Sequence, residues 1–255
     1  MRHSTALGRT MRLAFALAEA RFWLRNAGSY IGIFWYVLEP LVFFLILIFL
    51  QTNVGASSIP EYPAYLLLGL IMVNFFIGAT TGAVRSMRDN NGLIQSVTVD
   101  TEAVPLSAVI QFIFSHAFEL VLFIIVALLF HDLSWHIIWY PVIFSVYVVF
   151  VSGSAFILAT LGVFIEDLFN IWAVASRLLW LGTPIFYSLS PGNPLYVLNR
   201  FNPLYYFITY GRDLVVYGVV PDPAGMVTLV FGSIATLAVG VILFSKNKRK
   251  FGEFL

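Results

Sequence analysis

Residues 29–51, SYIGIFWYVLEPLVFFLILIFLQ, decide the fold of this chain. From Tyr30 onward they offer about 20 apolar positions, enough for a helix rising about 1.5 Å per residue to cross a hydrocarbon core of about 30 Å. This stretch predicts a membrane span. Its one carboxylate, Glu39, would lie about 14 Å deep, where insertion of an acidic side chain costs about 2.5 to 3.5 kcal/mol. Glu39 therefore either faces a wet pathway or a buried cation, or pairs structurally with an arginine or a helix terminus.

The composition extends this prediction to the whole chain. Its 255 residues are 60% hydrophobic and 11% charged, whereas soluble domains are about 45 to 50% apolar and about 25% charged. One compact, polytopic helical unit is expected, without a separate soluble domain. The net charge of +1 lacks the basic excess that a nucleic-acid partner requires. The absence of cysteine excludes disulfides, thiolate metal sites and Cys nucleophiles.

Residues 1–28 contain five arginines separated by apolar and aromatic residues. A signal peptide is one alternative, but the uninterrupted apolar run, residues 13–18, is shorter than the 7 to 15 or so residues that such a segment needs. We therefore predict an amphipathic helix on the cytoplasmic membrane face, with arginines at the headgroups and aromatic side chains dipping inward.

The apolar segments and the distribution of Lys and Arg predict an all-α, multi-pass topology with six spans. The spans are expected at about 30–51, 65–84, 106–129, 138–164, 168–187 and 226–244. Residues 52–64 carry no Lys or Arg, whereas residues 85–105 open with Arg85 and Arg88 and the last span is followed by KNKRK. The positive-inside rule then places both termini in the cytoplasm.

Residues 188–225 are too aromatic for a solvated loop and too short for two more spans. We predict short re-entrant helices folded into the outer leaflet, with Asn202, Pro203 and Arg212 among them. Such helices are permissible where their ends are buried in protein or line a cavity.

Polar residues inside the spans mark further candidate positions. Gln111, Ser115 and Glu119 recur every fourth residue and form one stripe on a helix face, which turns toward a conduit or another helix rather than lipid. Arg177 snorkels toward the cytoplasm, pairs with Glu39 or Glu119, or lines a pathway. His131 and His136 could suggest a metal pair, but two histidines without a carboxylate array are a weak signal.

No GxxxxGKS or GxxxxGKT motif, no HExxH and no dense carboxylate relay occurs in the sequence. The chain is therefore not expected to bind ATP through a P-loop, to be an enzyme or to pump protons by itself. Six spans, an interfacial helix and a cytoplasmic docking loop suit half of a dimeric permease that a separate ATPase drives.

The residues Gly32, Trp35, Leu38, Glu39 and Pro40 resemble the GxxWxxLEP signature at the first span of ABC type-2 export permeases, which export O-antigen, capsule or teichoic acid. Similar segments follow in order: GLI at 92–94, where that family has its coupling helix; LGVFIEDL at 161–168; TPIFY at 183–187; and NPLYYFITYGRDLVVYG at 202–218. One departure from the family is Glu166 before Asp167, where a basic residue is common.

The resemblance implies a homodimer with two P-loop nucleotide-binding subunits, which bind ATP and Mg²⁺ and drive a lipid-linked polysaccharide across the bacterial inner membrane. This chain would need no cofactor or metal of its own. The coupling loop would contain Arg88, Asp89, Gly92, Leu93 and Ile94.

A polymer of sugars suits a conduit whose aromatic faces contact it without fixed hydrogen bonds. The predicted pathway residues flank or form the polar positions within the membrane: Phe34, Trp35, Tyr36, Glu39, Arg177, Phe186 and Tyr187.

Two alternative functions remain open at this point. One is export of a small lipid or a drug by the same fold, and the other is an ion-gradient-driven carrier or channel. A membrane-embedded transferase is disfavoured because no acid–base or metal cluster is present in the sequence.

Overall fold

A computed structural model of the chain is all-helical over the residues that it describes, 6–26, 29–54, 59–96, 100–130, 132–190 and 192–254. Five of its helices are long and apolar enough to cross a membrane. The prediction of an all-α, multi-pass membrane protein is confirmed.

Eleven α-helices follow one another in the described residues. They are α1 (Ala6–Asn26), α2 (Trp35–Val54), α3 (Tyr62–Asp89), α4 (Asn91–Ser96), α5 (Ala103–Phe130), α6 (Tyr140–Phe164), α7 (Leu168–Gly182), α8 (Pro194–Asn199), α9 (Pro203–Val215), α10 (Pro223–Asn247) and α11 (Phe251–Phe254). Short 3-10 helices, Gly32–Phe34 and Trp135–Trp139, lead into α2 and α6, and a third, Lys248–Lys250, joins α10 to α11.

Five of the six predicted spans correspond to the long helices α2, α3, α5, α6 and α10. The remaining span, predicted at 168–187, has a shorter helix. Its helix, α7, has 15 residues and reaches only about 22 Å. Thr183 is extended, with φ −81° and ψ 135°, because a residue before proline is disfavoured in the helical region. The prediction of a helix to Tyr187 is therefore wrong at its end, and Pro184 is the physical reason.

Helix α3 is the centre of the bundle. In its most apolar window 72% of the residues are buried, compared with 17% for both α2 and α10. It packs against α2, α5, α6, α7 and α9. Aromatic side chains from its neighbours converge around Phe75, whose ring centroid lies 5.4 Å from that of His116, 5.0 Å from that of Phe144 and 5.6 Å from that of Tyr147.

Glycines let neighbouring backbones approach closely at two helix crossings. Gly153 of α6 faces the backbone of Leu237 on α10, and Gly240 of α10 faces the carbonyl oxygen of Gly153. Gly162, near the end of α6, faces the carbonyl oxygen of Val84 on α3. A Cβ at any of these positions would meet backbone atoms, so small residues set the spacing of the helices.

The buried Arg212 joins the N-terminal end of α3 to the C-terminal end of α9 and to the segment after α7. Its guanidinium donates hydrogen bonds to the carbonyl oxygens of Tyr65 (3.0 Å), Pro184 (2.8 Å) and Ile185 (2.7 Å), and it lies 3.4 Å from the centroid of the Tyr65 ring. Gly69 makes room for it, because a Cβ there would collide with the guanidinium. Carbonyl groups in the non-helical segment after α7 are thereby satisfied, as burial requires.

Helix α1 lies against α5. Its buried face consists of Ala14, Ala18 and Phe22, spaced by four residues as one face of a helix requires. Thr10 donates a hydrogen bond of 3.2 Å to a carboxylate oxygen of Asp100. Residues 6–26 of the predicted N-terminal segment are therefore helical, whereas its place on the cytoplasmic membrane face stays a prediction. Residues 1–5, 27 and 28 lie outside the described part of the chain.

Replacing Gly153 with alanine should destabilise the α6–α10 contact, because the new Cβ would lie 2.5 Å from the backbone nitrogen of Leu237. A Cβ added at Gly232 would meet no atom within 4 Å, so Gly232→Ala supplies the matched control. We expect Gly153→Ala to lower the thermal unfolding midpoint of the detergent-solubilised protein, with a cost of about 1 to 3 kcal/mol from overpacking. Equal midpoints for Gly153→Ala and Gly232→Ala would contradict this account of the crossing.

Candidate functional site

A polar cleft of about 500 Å³ opens between α2, α3, α5 and the start of α7. Its lining combines amides, hydroxyls, carboxylates and one guanidinium with three aromatic rings. The lining residues are Tyr36, Glu39, Asn74, Ile77, Gly78, Thr81, Gly82, Arg85, Asp89, Gln111, Phe112, Ser115, Glu119 and Phe169.

Helix α5 contributes the stripe that the sequence predicts. Gln111, Ser115 and Glu119 all line the cleft, so the stripe faces an open space rather than the surface of another helix. Ser115 uses its hydroxyl within α5, donating to the carbonyl oxygen of Gln111 at 3.3 Å. The amide of Gln111 and the carboxylate of Glu119 are the longer polar groups that the helix presents.

Glu119 belongs to a buried network that joins α5 to α6. An oxygen of its carboxylate lies 3.3 Å from Nδ1 of His116, and Nε2 of His116 lies 2.8 Å from the hydroxyl of Tyr140. The imidazole also stacks on Phe144, with ring centroids 4.5 Å apart. Because His116 is fixed on both sides, it holds the carboxylate of Glu119 at the wall of the cleft.

Helix α3 forms the opposite wall with a second stripe. Asn74, Thr81, Arg85 and Asp89 line the cleft, and the ring of Phe112 from α5 occupies the space beside Gly78. These positions recur at three- and four-residue intervals, so they lie on one helix face.

Arg85 lies where the cleft meets a smaller cavity of about 260 Å³. Arg85, Asp89 and Phe169 line both spaces. The guanidinium of Arg85 lies 3.3 Å from the centroid of the Phe169 ring, a cation–π contact between α3 and α7. Arg21 of α1 also lies near Asp89: burial lowers the pKa of its guanidinium, and the carboxylate of Asp89 acts in the opposite direction.

Helix α2 contributes Tyr36 and Glu39 from the predicted pathway. The ring of Tyr36 is buried and stacks on Phe22 of α1, with centroids 5.2 Å apart. Glu39 is exposed to the cleft, and no ion pair to it occurs among the described residues. That Glu39 faces a wet pathway or a buried cation stays a prediction.

The other five predicted pathway residues lie outside the cleft lining. Phe34 and Trp35 are exposed beside the start of α2, and the indole nitrogen of Trp35 donates to the hydroxyl of Ser29 at 3.2 Å. Arg177 is exposed on α7. It has no ion pair with Glu39 or Glu119 within the described residues, so the other two alternatives, snorkelling toward the cytoplasm or lining a pathway, stay predictions.

Phe186 and Tyr187 belong to the segment that follows α7. Their carbonyl oxygens accept hydrogen bonds from the hydroxyls of Tyr62 (3.1 Å) and Tyr65 (2.8 Å) on α3. The hydroxyl of Tyr187 in turn donates to the carbonyl oxygen of Gly182 at 2.9 Å. Both residues therefore lie at the C-terminal end of α7, at the far end of α3 from Asp89.

The predicted coupling segment forms the short helix α4 after the end of α3. Asp89 and Gly92 lie at the surface, whereas Ile94 packs against a hydrophobic cluster behind α4 and Leu93 is half-buried. Arg88 reaches sideways, with its Nε donating to the carbonyl oxygen of Gly162 at 2.9 Å. Arg88 and Ile94 thus attach the segment to the bundle. Gly92 is exposed, and the exposed Asp89 lines the two cavities.

In the predicted re-entrant region, Asn202 and Pro203 start α9. The side chain of Asn202 accepts from the backbone nitrogen of Leu204 at 3.1 Å and donates to the hydroxyl of Thr183 at 2.8 Å. Pro203 occupies the first turn, where its missing N–H costs nothing. Arg212 is the buried cation described above, so this region serves to position the segment after α7.

Several cleft residues were not predicted from the sequence. A signal was available for α3, since Asn74, Gly78, Thr81, Arg85 and Asp89 form a polar and small stripe at helical spacing. No signal was available for Tyr140 or Phe169, because their neighbours come from other helices.

The suggested histidine metal pair includes His131, which lies outside the described residues, and no metal-binding group was found among the residues that are described.

Comparison with known proteins finds similarity over nearly the whole chain. The O-antigen export system permease protein RfbA of Myxococcus xanthus is 23% identical over 245 residues, covering 94% of both chains. Two O-antigen export system permease proteins RfbA of Klebsiella pneumoniae are each 28% identical, covering 98% of this chain and 97% of their own. No family model matches the sequence.

Because the chain contains no cysteine, single introduced cysteines can identify the positions that meet water. We expect Gln111→Cys and Thr81→Cys to react with a water-soluble thiol reagent, since both side chains line the cleft. Val121 is exposed on α5 but does not line the cleft, so Val121→Cys should stay unmodified, because a thiolate does not form in hydrocarbon. Mass spectrometry of the intact protein measures the modified fraction. Equal labelling at Gln111 and Val121 would contradict a wet cleft.

Proposed function

We propose that this chain is the membrane subunit that exports O-antigen or a related lipid-linked polysaccharide. Its similarity to O-antigen export permeases over nearly the full chain supports its place among the ABC type-2 export permeases. The observation that carries this proposal is the polar cleft among membrane-spanning helices, whose lining matches the chemistry of sugars. The cleft belongs to a transport subunit rather than to an enzyme.

The lining of the cleft suits a hydroxyl-rich polymer. Asn74, Gln111 and Glu119 offer amide and carboxylate groups to hydroxyls, while Tyr36 and Phe112 offer aromatic faces to the apolar C–H surfaces of sugar rings. Many weak contacts of this kind allow a polymer to move on, whereas a few strong ones would retain it.

Two copies of the chain would complete the conduit. One face of α7 exposes Ile171, Val174, Leu178 and Leu181, spaced by three and four residues as a single helical stripe requires. A second copy packed along α2 and α7 would cover this stripe and close the open side of the cleft. In that arrangement, α7 together with residues 183–187 and the re-entrant helices α8 and α9 forms the sixth crossing.

The shortness of α7 is compatible with a crossing because its end is buried in protein. Arg212 and the hydroxyls of Tyr62 and Tyr65 satisfy the carbonyl groups of residues 184–187. Non-helical backbone is tolerated at membrane depth under that condition.

The energy for export would come from a separate pair of P-loop nucleotide-binding subunits, which bind ATP and Mg²⁺. The exposed Asp89, the last residue of α3, and Gly92, within α4, supply the docking point for these subunits. The chain would lie in the bacterial inner membrane with both termini in the cytoplasm. This orientation follows the excess of Lys and Arg at the ends of α3 and α10.

Deleting the gene in its own host should remove the surface glycan and leave lipid-linked glycan inside the inner membrane. A wild-type copy should restore export, and Glu119→Leu should restore it about tenfold less well, which corresponds to about 1.4 kcal/mol of lost stabilisation of the moving polymer. Val121→Leu, on the lipid face of the same helix, is the control. Immunoblotting of surface glycan and thin-layer analysis of extracted lipid-linked glycan provide the measurements.

The deletion strain and the purified chain separate this function from its two alternatives. An unchanged surface glycan in the deletion strain, where no second exporter is present, would contradict polysaccharide export and leave a small lipid or a drug as the substrate. Transport by the purified chain under an ion gradient, without an ATPase, would support a secondary carrier.

Charge reversal at the docking point should uncouple ATP hydrolysis from export. Asp89→Lys places a further cation beside Arg85 and Arg88, and Ile94→Pro breaks α4 because proline cannot complete a helical hydrogen bond. We expect both variants to remain in the membrane at wild-type levels while export falls by about tenfold and ATPase activity no longer responds to substrate. Asp89→Asn, which keeps the size of the side chain, should retain more export than Asp89→Lys. Full export by Ile94→Pro would remove α4 from the mechanism.

A further inference from the structure

A second hydrophobic core lies behind α4, separate from the main core around α3. Its buried members, which we call the C-terminal cluster, are Met87, Val104, Phe156, Ala159, Val163, Phe244 and Phe251. Partly buried side chains packed against it are Leu17, Ile94, Leu106, Phe164 and Leu237. Seven helices, α1, α3, α4, α5, α6, α10 and α11, therefore contribute to one contact.

Phe251 is the member of this cluster nearest to the end of the chain, and it is fully buried. Its ring lies edge-on to Phe244, with centroids 5.0 Å apart, and 6.1 Å from the ring of Phe164. Phe244 in turn contacts Phe156, with centroids 5.3 Å apart. A row of aromatic rings thus runs from the last four-residue helix, α11, into α6.

A salt bridge fixes the turn that brings Phe251 to this place. Lys248, in the 3-10 helix after α10, lies 2.7 Å from a carboxylate oxygen of Glu102, just before the start of α5. Phe254, three residues after Phe251, is 57% exposed, although its ring still reaches Phe164 with centroids 5.1 Å apart. The tail therefore buries one of its two phenylalanines and leaves the other at the surface.

Helix α4 depends on this cluster for its position. It has six residues, far fewer than the roughly 12 to 15 that an isolated helix needs in water. Ile94 packs against the C-terminal cluster, and Met87, in the last turn of α3, is a fully buried member of it. The chain on both sides of Asp89 and Gly92 is thus held by one set of apolar contacts.

We infer that Phe251 is a positioning residue for α4. Its ring fills the C-terminal cluster and thereby sets the place of the segment that docks the nucleotide-binding subunit. The consequence for transport rests on the function proposed above, whereas the effect on α4 itself does not. Without the ring of Phe251, the cluster loses its support at Phe244 and Phe164, and Ile94 loses a rigid surface to pack on.

Hydrogen–deuterium exchange of the full chain, purified in detergent without any ATPase, tests the structural step. We expect Phe251→Ala to speed amide exchange in residues 86–96 by about tenfold or more, while exchange at the centre of α3 stays unchanged. Phe251→Leu should restore most of the protection because it refills the cluster. Phe254→Ala is the matched control and should behave as wild type. Equal acceleration at the centre of α3, or none in residues 86–96, would overturn the inference.

Reconstitution with the nucleotide-binding subunits then tests the functional step. We expect Phe251→Ala to weaken binding of these subunits by about tenfold and to abolish substrate-dependent ATPase activity, while Phe251→Leu and Phe254→Ala retain both. Normal binding by Phe251→Ala, despite a loosened α4, would overturn the positioning role. If wild type itself binds no ATPase while its exchange data agree with expectation, the proposed function fails and the link between Phe251 and α4 stands.

Discussion

Close approach to α3 is the constraint on which the rest of the structure depends. A helix buried on most of its surface can be contacted by five neighbours only where its side chains are small or its partners carry glycine. Gly69 admits the guanidinium of Arg212, Gly78 admits the ring of Phe112, and Gly162 of α6 admits the carbonyl oxygen of Val84. In a bilayer, where lipid is as apolar as the helices, such close contact supplies association energy that the hydrophobic effect does not. These sites bring α5, α6 and α9 close to α3.

Polar groups in this bundle follow two different rules. Where they join helices they are satisfied: Arg212 meets three carbonyl oxygens, and His116 is fixed between Glu119 and Tyr140. In the cleft, the amides of Asn74 and Gln111 and the carboxylate of Glu39 line an open space instead. Because a polar group in hydrocarbon is costly unless it is hydrogen-bonded, water or a polar ligand in this space would stabilise them. The groups that join helices hold the scaffold.

Part of the candidate site could be predicted from the sequence because it lies on single helices. The stripe of Gln111, Ser115 and Glu119 follows from four-residue spacing, and Glu39 follows from its isolation in an apolar run. Residues whose role depends on another element could not be placed in this way. Arg88 attaches to α6, Phe186 and Tyr187 attach to α3, and Arg177 pairs with neither of the two carboxylates that the sequence offered it.

The sequence by itself determined that this protein is helical, crosses a membrane several times and carries a polar stripe on α5. Hydrophobic length and helical spacing are local properties, so they can be read along the chain without knowing its neighbours. Only the tertiary structure decided that a buried arginine holds the segment after α7, that the stripes of α3 and α5 line one cleft, and that Phe251 lies behind α4. These features join residues that are far apart in sequence, and side-chain packing alone selects which of them meet.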